Sequence, residues 1–296
     1  MRIPSKYFYD KEGSRIFEEI MALEEYYPTN CEWEIFETYK SDILNSISNE
    51  HFNLIDIGAG DGAKTKILIS HFLGSGASFT YVPIDISGDI LQKLAHDFSI
   101  QFPKLNVKPV KGEYNEALAW LKRTSHHKNV VLFLGGNIGN FPKAKSASFL
   151  REIKHALNKD DFLLIGIDVK KDPRIIINAY DDKKGVTAAF NLNLLQRINN
   201  ELGGNFNLNN WQHFPFYNPQ TGAVESYLIS KKEQHVFISA LEKTFHFHAN
   251  DAIHTEFSFK YSLHEISELA KDSGFKIERN FYDKRKYFSD SLWKAL

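Results

Sequence analysis

The chain has 296 residues, 43% of them hydrophobic, which is enough for one large domain or two modest ones and argues against a disordered protein. Its 36 basic and 37 acidic residues give a formal net charge of -1, so no overall charge favours nucleic acid or an anionic membrane as a partner. A small molecule is therefore the expected partner.

The N-terminal segment, residues 1–50, is rich in acidic and aromatic residues between positions 14 and 47, and its pattern predicts helices. Its first residues, MRIPSKYFYDKEGS, contain no apolar signal core, and nowhere does the chain approach the roughly 18 consecutive apolar residues of a membrane span. The single cysteine, Cys31, excludes an internal disulfide framework and suits a reducing cytosol. We expect a cytoplasmic monomer in which this segment forms a helical lid.

Residues 51–171 alternate strand-like and helical patterns, as in a parallel sheet with crossover helices. The strand-like runs are FNLIDIG, SFTYVPIDI, NVKPVKG, NVVLFLGG and DFLLIGIDV. In the helical run AKSASFLREIKHALN, Phe149, Ile153 and Leu157 recur at helical spacing. This part of the chain predicts a doubly wound, Rossmann-like α/β core.

Beyond residue 171 this alternation stops. The run GVTAAFNLNLLQRINNELGG predicts one helix closed by Gly203 and Gly204, and VESYLIS, QHVFISA and KTFHFHA predict strands. We interpret residues 172–250 as a mixed α+β lobe inserted into the core. Residues 251–296 then return to the core through the strand-like IHTEFSFKY, the helical SLHEISELAKDSG, the strand-like FKIERNFYD and a polar tail.

The stretch LIDIGAGDGAKT places Gly58, Gly60 and Gly62 in the turn after the first core strand, where the ligand crevice of a parallel sheet lies. Glycine allows left-handed backbone angles and lets a ligand approach the backbone closely. The helix that follows opens near Ala63 and adds a partial positive charge. The loop is therefore expected to bind either a phosphate or an uncharged ligand edge.

The acids around this loop favour a nucleoside without phosphates. The third glycine falls one residue earlier than in the dinucleotide fingerprint, which disfavours a nicotinamide-dependent oxidoreductase, and Asp61 in the loop would repel a pyrophosphate. Asp85 ends the next strand, where it can accept both hydroxyls of a ribose, and Glu113 can accept from an adenine amino group. With Asp56 for ligand donors and Lys64 for a carboxylate, these residues fit S-adenosylmethionine. The other reading is an ordinary strand-to-helix turn with solvated acids.

Several strings of unusual composition, spread over nearly the whole chain, resemble one family. They are KYFYDKEGSRIFEEI, EEYYPT, LIDIGAGDGAKT, YVPIDIS, FLGGNIGNF, AYDDKKGVTAAFN, YNP and HTEFSFKY. In these strings the chain is similar to the histidine-specific, S-adenosylmethionine-dependent methyltransferases, which trimethylate the α-amino group of histidine to a betaine in ergothioneine biosynthesis. The resemblance implies a class I methyltransferase fold, S-adenosylmethionine as cofactor with S-adenosylhomocysteine as product, and a free amino acid, L-histidine, as substrate.

The resemblance also implies roles for individual residues. Catalytic positions carried over from the family are Tyr9, near the cofactor and the amino group, and Asn140 and Tyr180, which would hold the α-carboxylate. Cofactor contacts carried over are Gly58, Lys64, Asp85, Glu113 and Tyr114. Substrate contacts carried over are Tyr26 and, at the imidazole, Glu256 and Ser258.

Two positions that line the family's substrate cavity depart from its pattern. Asn137 stands where GGTIGN has threonine, and Ser226 follows Glu225 where the family has methionine. These departures leave two alternatives to L-histidine methylation. One is a methyltransferase of a related amine, such as a tryptophan derivative or a modified histidine, and the other is a non-catalytic protein that binds the cofactor or an amino acid.

Period-two alternation in HTEFSFKY places Glu256, Ser258 and Lys260 on one strand face, with Phe257 and Phe259 packing inward on the other. From that face Glu256 and Ser258 can point together at the two nitrogens of an imidazole. Taken without the resemblance, the same pattern fits an amphipathic strand with a solvated polar face.

Three histidines suggest an alternative metal site. His246 and His248 share one strand face, with His254 nearby. We expect no metal there, because no cysteine or acid completes a familiar ligand set and methyl transfer requires none.

Overall fold

A computed structural model describes residues 1–47, 50–123 and 127–296. The chain divides into two compact units. The core-sheet unit comprises Asn30–Val169 and Tyr261–Leu296, and the mixed unit comprises Met1–Thr29 and Lys170–Lys260. Within the described residues, no helix combines the length and the apolar character needed to cross a membrane.

The helices and strands follow in chain order. The helices are α1 (Lys11–Met21), α2 (Tyr27–Ile47), α3 (Thr65–Gly74), α4 (Gly88–Gln101), α5 (Tyr114–Arg123), α6 (Lys143–Ala156), α7 (Pro173–Asn178), α8 (Val186–Leu202) and α9 (Leu263–Asp272). The strands are β1 (Phe52–Ile57), β2 (Phe79–Asp85), β3 (Asn106–Val107), β4 (Val110–Lys111), β5 (Lys128–Phe133), β6 (Phe162–Asp168), β7 (Trp211–Asn218), β8 (Ala223–Ser230), β9 (Gln234–Ile238), β10 (Lys243–Phe247), β11 (Ala252–Phe259), β12 (Phe275–Tyr282) and β13 (Phe288–Ala295).

The core-sheet unit is built on one sheet with strand order β12-β13-β6-β5-β1-β2-β3, and β4 also pairs with β2. Strands β1 to β6 pair in parallel, whereas β13 runs antiparallel to β6 and β12. Every residue of β1 and β6 is buried, as expected for strands with helices on both faces. The predicted Rossmann-like α/β core is therefore confirmed. The predicted third strand is split into β3 and β4 around Pro109, which has no backbone N–H to donate.

The predicted polar tail is wrong, because most of it forms the buried strand β13 between β6 and β12. Ser289, Asp290 and Ser291 are all fully buried. Ser291 donates to the side chain of Asn280 and accepts a 2.6 Å hydrogen bond from Nε1 of Trp293. Polar side chains with such local partners can lie inside a sheet, so the hydrophilic sequence of this strand conceals its burial.

The mixed unit contains a three-stranded antiparallel sheet, β11-β8-β7, and the hairpin β9–β10. Strand β7 is an edge strand that contains Pro215. A proline within a run of residues argues against a strand in sequence-based prediction, although an edge strand tolerates it. Gly203 closes α8 with a φ of 62°, as predicted for a helix end. Two apolar clusters hold the unit together, one around Trp211 and the other around Phe8.

The mixed unit is larger than the predicted lobe of residues 172–250. Strand β11 pairs with β8 from Ala252 opposite Ile229 to Phe259 opposite Ala223, so residues 251–260 belong to this sheet and not to the core sheet. Residues 1–29 also belong to the mixed unit, while the rest of the predicted N-terminal segment belongs to the core-sheet unit. Periodicity identifies a strand but not its partner, which explains the misplaced boundary.

Candidate functional site

The turn after β1 has the conformation that its glycines predict. Gly58, Gly60 and Gly62 have φ values of 76°, 56° and 68°. A Cβ added at Gly62 would lie 3.0 Å from Cδ1 of Leu94, so this glycine packs the loop against α4. At Gly60, by contrast, no atom of the described chain lies within 4 Å of an added Cβ. The middle of the loop therefore offers open backbone to a ligand.

Asp85, the last residue of β2, is tied to this loop. Its Oδ2 accepts a 3.0 Å hydrogen bond from the Gly60 amide, and its Oδ1 accepts a 2.9 Å bond from the Ser87 amide. A carboxylate has about four acceptor sites, so both oxygens keep capacity for further donors. The geometry therefore fits an acid that is held in place by the loop and that accepts a pair of hydroxyls.

Asp56 has a different environment from the one predicted. It is buried, and its Oδ2 accepts hydrogen bonds from the hydroxyls of Thr65, at 2.6 Å, and Tyr81, at 3.0 Å. Burial raises the pKa of Asp56 to about 6, against the lowering effect of these two bonds. Its visible role is to connect β1 with β2 and α3 beneath the loop, and a direct cofactor contact stays a prediction.

The predicted adenine pair, Glu113 and Tyr114, directly follows Gly112, whose amide donates a 3.0 Å hydrogen bond to the backbone carbonyl of Asp85. Tyr114 begins α5, and its ring centroid is 4.9 Å from that of Phe149. Burial raises the pKa of Tyr114 to about 12, and the negative charges of Asp85 and Glu113 add to that rise. Three of the predicted nucleoside contacts thus share one neighbourhood at the carboxyl ends of the strands.

A buried charge cluster behind the loop was missed by the sequence analysis. Nζ of Lys64 forms an ion pair with Glu32, which is fully buried and whose Oε1 accepts a 2.7 Å hydrogen bond from the Gly135 amide. A Cβ at Gly166 would lie 2.5 Å from this Oε1, so β6 leaves room for Glu32 only because it has a glycine there. Asp290 of β13 lies beside Glu32.

The charges in this cluster shift each other's proton affinities. Burial, and next the Glu32 carboxylate, raise the pKa of Asp290 well above its usual range, while Lys64 opposes the rise. Burial alone would lower the pKa of Lys64, but Glu32 and the nearby acids outweigh it, so the pKa is raised. Sequence offered no signal for this cluster, because Glu32 is one of many acids in α2 and Asp290 lies in the supposed tail.

Replacing Asp290 with asparagine is expected to change how stability depends on pH. A raised carboxyl pKa means that the folded state binds a proton that the unfolded state, with its ordinary pKa of 3.8, has already released. The free energy of unfolding therefore falls as pH rises, by up to about 1.4 kcal/mol per pH unit from this group. In urea unfolding at pH 5, 6, 7 and 8, the free energy of unfolding of Asp290→Asn should rise relative to that of the wild type as pH rises.

The matched control is Asp160→Asn. The side chain of Asp160 is half exposed and its pKa is lowered by the hydrogen bond from Lys294, so it is ionised in both states over this pH range and its loss should leave the slope unchanged. Parallel pH profiles for the wild type and Asp290→Asn would contradict the assigned protonation of Asp290.

The loop after β5 belongs to the same end of the sheet. Asn137 and Asn140 lie in a 3-10 helix, Asn137–Asn140, that follows two glycines with positive φ. Nδ2 of Asn137 is 3.7 Å from the position of an added Cβ at Gly58 and equally far from one at Gly135. The structure therefore places Asn137 against the glycine loop, and its contact with an amino-acid substrate stays a prediction.

The mixed unit brings its predicted site residues together through an aromatic row. Ring centroids are 5.6 Å apart for Tyr9 and Phe17, 6.3 Å for Phe17 and Tyr26, and 6.5 Å for Tyr26 and Tyr180. Tyr9 and Tyr26 from the N-terminal segment and Tyr180 from after β6 thus belong to one row of aromatic contacts. Of the residues in this row, Phe17 was not predicted.

Tyr180 continues into a buried polar network on β11. Its hydroxyl donates to Oγ of Ser258 at 2.7 Å, and Nζ of Lys260 donates to Tyr180 Oη at 2.7 Å and to Ser258 Oγ at 2.8 Å. All three residues are buried. The predicted carboxylate-binding and imidazole-binding groups of this unit therefore meet in one hydrogen-bonded group, with a lysine that the sequence analysis placed on the right face but gave no role.

Glu256 lies on the same face of β11. Burial raises the pKa of Glu256 to about 7, although the positive charge of Lys260 opposes the rise. Ser226 of β8 is its direct cross-strand partner, so the two side chains share a face. The expectation that Phe257 and Phe259 pack inward is wrong, because both are half-buried while Ser258 and Lys260 are buried.

The fold and these loops define a class. A mostly parallel sheet, an open glycine loop after its first strand and an acid at the end of its second strand define a Rossmann-like, nucleoside-binding fold. The family model described as histidine-specific methyltransferase, SAM-dependent, matches residues 1–295. The chain belongs to this family, as its sequence strings predicted.

Relatives agree with this placement. The chain is 33% identical over 270 residues to histidine N-alpha-methyltransferase from Mycolicibacterium smegmatis, covering 91% of this chain and 83% of the relative. It is 31% identical over 290 residues to histidine N-alpha-methyltransferase from Mycobacterium tuberculosis, covering 98% and 89%. The solved structure of the PH0226 protein from Pyrococcus horikoshii shares the fold, with a TM-score of 0.51 and 14% identity over 97% of this chain and all of that one.

Proposed function

We propose that this protein methylates the α-amino group of free L-histidine, using S-adenosylmethionine, and carries the product to the trimethyl betaine. The observation that carries the proposal is one face of β11, which bears Glu256 and on which Ser258 and Lys260 are hydrogen-bonded to the hydroxyl of Tyr180. Family membership supports both the reaction and the substrate.

The core-sheet unit fits the cofactor. Gly60 leaves open backbone, Asp85 has acceptor capacity for two ribose hydroxyls, and Glu113 and Tyr114 lie next to Asp85, where an adenine would be read. Lys64, already paired with Glu32, would have its ammonium held in place to receive a carboxylate. When bound, the cofactor supplies an electrophilic methyl group on a sulfonium.

The mixed unit fits an amino acid with a polar ring. Glu256 and Ser258 offer an acceptor and a hydroxyl to the two ring nitrogens, and Lys260 fixes the orientation of the hydroxyls of Ser258 and Tyr180. Tyr180 would hold the α-carboxylate from this unit. Fixing both ends of a small substrate leaves its amine in one orientation, and such positioning can supply several kcal/mol of the barrier.

The amine must be neutral to act as a nucleophile. In each round the carbon–sulfur bond breaks as the carbon–nitrogen bond forms, and the nitrogen must release a proton before it can react again. The hydroxyls of Tyr9 and Tyr26 along the aromatic row can pass this proton to water, so no strong base is required.

Incubation with methyl-labelled cofactor and a panel of amino acids tests the proposal. We expect labelled product with L-histidine, ending at the mass of the trimethylated species, and little with tryptophan. Turnover of another amine without turnover of histidine would replace the substrate assignment. Calorimetric binding of both ligands without any methyl transfer would instead identify a non-catalytic binding protein.

A further inference from the structure

The β9–β10 hairpin presents an ordered face of histidines. His235 and His246 are direct cross-strand partners, and continuing the same antiparallel register by two residues places Glu233 opposite His248. Because side chains alternate along a strand, these four residues share one face. The opposite face, with Val236, Ile238 and Phe247, is packed into the apolar cluster around Trp211. The core of the mixed unit therefore fixes which side the four polar residues occupy.

These side chains converge in space and are open to solvent. Nε2 of His246 is 3.0 Å from Oε1 of Glu233. The ring centroid of His246 lies 4.4 Å from that of His248 and also 4.4 Å from that of His235. The rings of His235 and His246 are stacked, with an interplanar angle of 14°. One ligand atom from each of Glu233, His246 and His248 lies within 4.8 Å of the other two, and all three residues are exposed.

We propose that Glu233, His246 and His248 form a surface site for a zinc-class transition-metal ion. Two imidazoles and one carboxylate are a ligand set that zinc accepts, with a fourth position for water or another donor. Tetrahedral coordination at zinc bond lengths places ligand atoms about 3.3 Å apart, so small side-chain rotations from the observed positions suffice. His235, stacked on His246, limits the rotation of that ring and stands close enough to become a fourth ligand.

This site differs from the one that the sequence suggested and rejected. The acid that the sequence pattern lacked is Glu233, which directly precedes β9 and which the hairpin brings next to His246. His254 is not part of the site, because it is buried on β11 with its ring against Phe257 and its Nε2 3.8 Å from Glu225. Bound metal would cross-link β9 and β10 without using any residue assigned to the methyltransferase site.

Calorimetric titration of the untagged full-length chain with Zn²⁺ tests the site, because a polyhistidine tag would itself bind the metal. We expect one ion per chain with a micromolar or tighter dissociation constant, and a higher unfolding temperature in its presence. His246→Ala and His248→Ala should each weaken binding at least about tenfold, and Glu233→Gln should weaken it measurably. Circular dichroism of each exposed-site variant establishes that it is folded.

His264→Ala is the matched control. His264 is exposed, and its Nε2 lies 3.2 Å from Oε1 of Glu268. Among the described residues, this histidine–glutamate pair has no third ligand residue close enough to complete a metal site. Zinc affinity should stay within about twofold of the wild type in this variant. Binding that is absent in the wild type, that persists in the double variant His246→Ala/His248→Ala, or that falls equally in His264→Ala would overturn the proposal.

Discussion

Replacing Asp85 with alanine is expected to weaken cofactor binding at least a hundredfold and to abolish methyl transfer. Each hydrogen bond from a ribose hydroxyl to a carboxylate is worth about 1.5–3 kcal/mol, so the loss of two corresponds to roughly a hundredfold to ten-thousandfold in affinity. The substitution also removes the acceptor for the amides of Gly60 and Ser87, which loosens the loop that the ligand must meet. Calorimetry with S-adenosylhomocysteine measures the effect without turnover.

Asp89→Ala is the control for this experiment. Asp89 is an exposed acid in the first turn of α4, four positions along the chain from Asp85, and the structure gives it no part in the loop. Its loss should change cofactor affinity by less than about threefold, because screened surface charges contribute little. A similar loss of affinity in both variants would mean that general charge, and not the position of Asp85, accounts for binding.

Replacing Glu256 with alanine is expected to weaken histidine binding about thirtyfold or more and to leave cofactor affinity unchanged. The side chain is an acceptor within a buried polar face, so its removal also leaves the ring donor of the substrate unpaired. Equal loss of both ligands would contradict the assignment of Glu256 to the amino acid. Glu225→Gln is the matched control. Glu225 is a neighbouring acid on β8 whose Oε2 already accepts a 2.5 Å hydrogen bond from the hydroxyl of Tyr227.

The pH dependence of histidine binding sharpens this test. Because burial raises the pKa of Glu256 to about 7, its carboxyl is protonated below that pH and becomes the stronger acceptor above it. Histidine affinity should therefore rise between pH 6 and pH 8 in the wild type. Glu256→Gln cannot ionise, so it should lack this component, while the titration of the substrate itself affects both proteins alike. A pH profile shared by the two would refute the role of the carboxylate.

Local sequence signals predict the structure correctly where a residue type and a backbone conformation coincide. Glycine is the residue that tolerates the positive φ of Gly58, Gly60 and Gly62, and an acid after an apolar run marks the end of a strand, as at Asp85. Asp56 differs from Asp85, because it is the last residue but one of its strand and its side chain faces Thr65 and Tyr81 inside the fold. An acid near the end of an apolar run therefore does not by itself show which partners its side chain has.

Partnerships between distant segments could not be read from the sequence. Periodicity located β11 but not its pairing with β8, and it gave no sign that Lys260 would be buried against Tyr180. Nor could it join Glu233 to His246, since that contact depends on the register of a hairpin. Each of these contacts is decided by tertiary packing, which a pattern along one strand does not encode.

The cluster of Glu32, Lys64 and Asp290 constrains how this protein can evolve. Its members come from a helix near the start of the core-sheet unit, the end of the glycine loop and the last strand, yet the ion pair of Glu32 with Lys64 and the proton held by Asp290 depend on one another. A drift to a neutral residue at Lys64 alone would leave two acids confronting each other away from water. Substitutions at these three positions should therefore be coupled, so that in related sequences the three residues are kept together or change together, while surface positions vary independently.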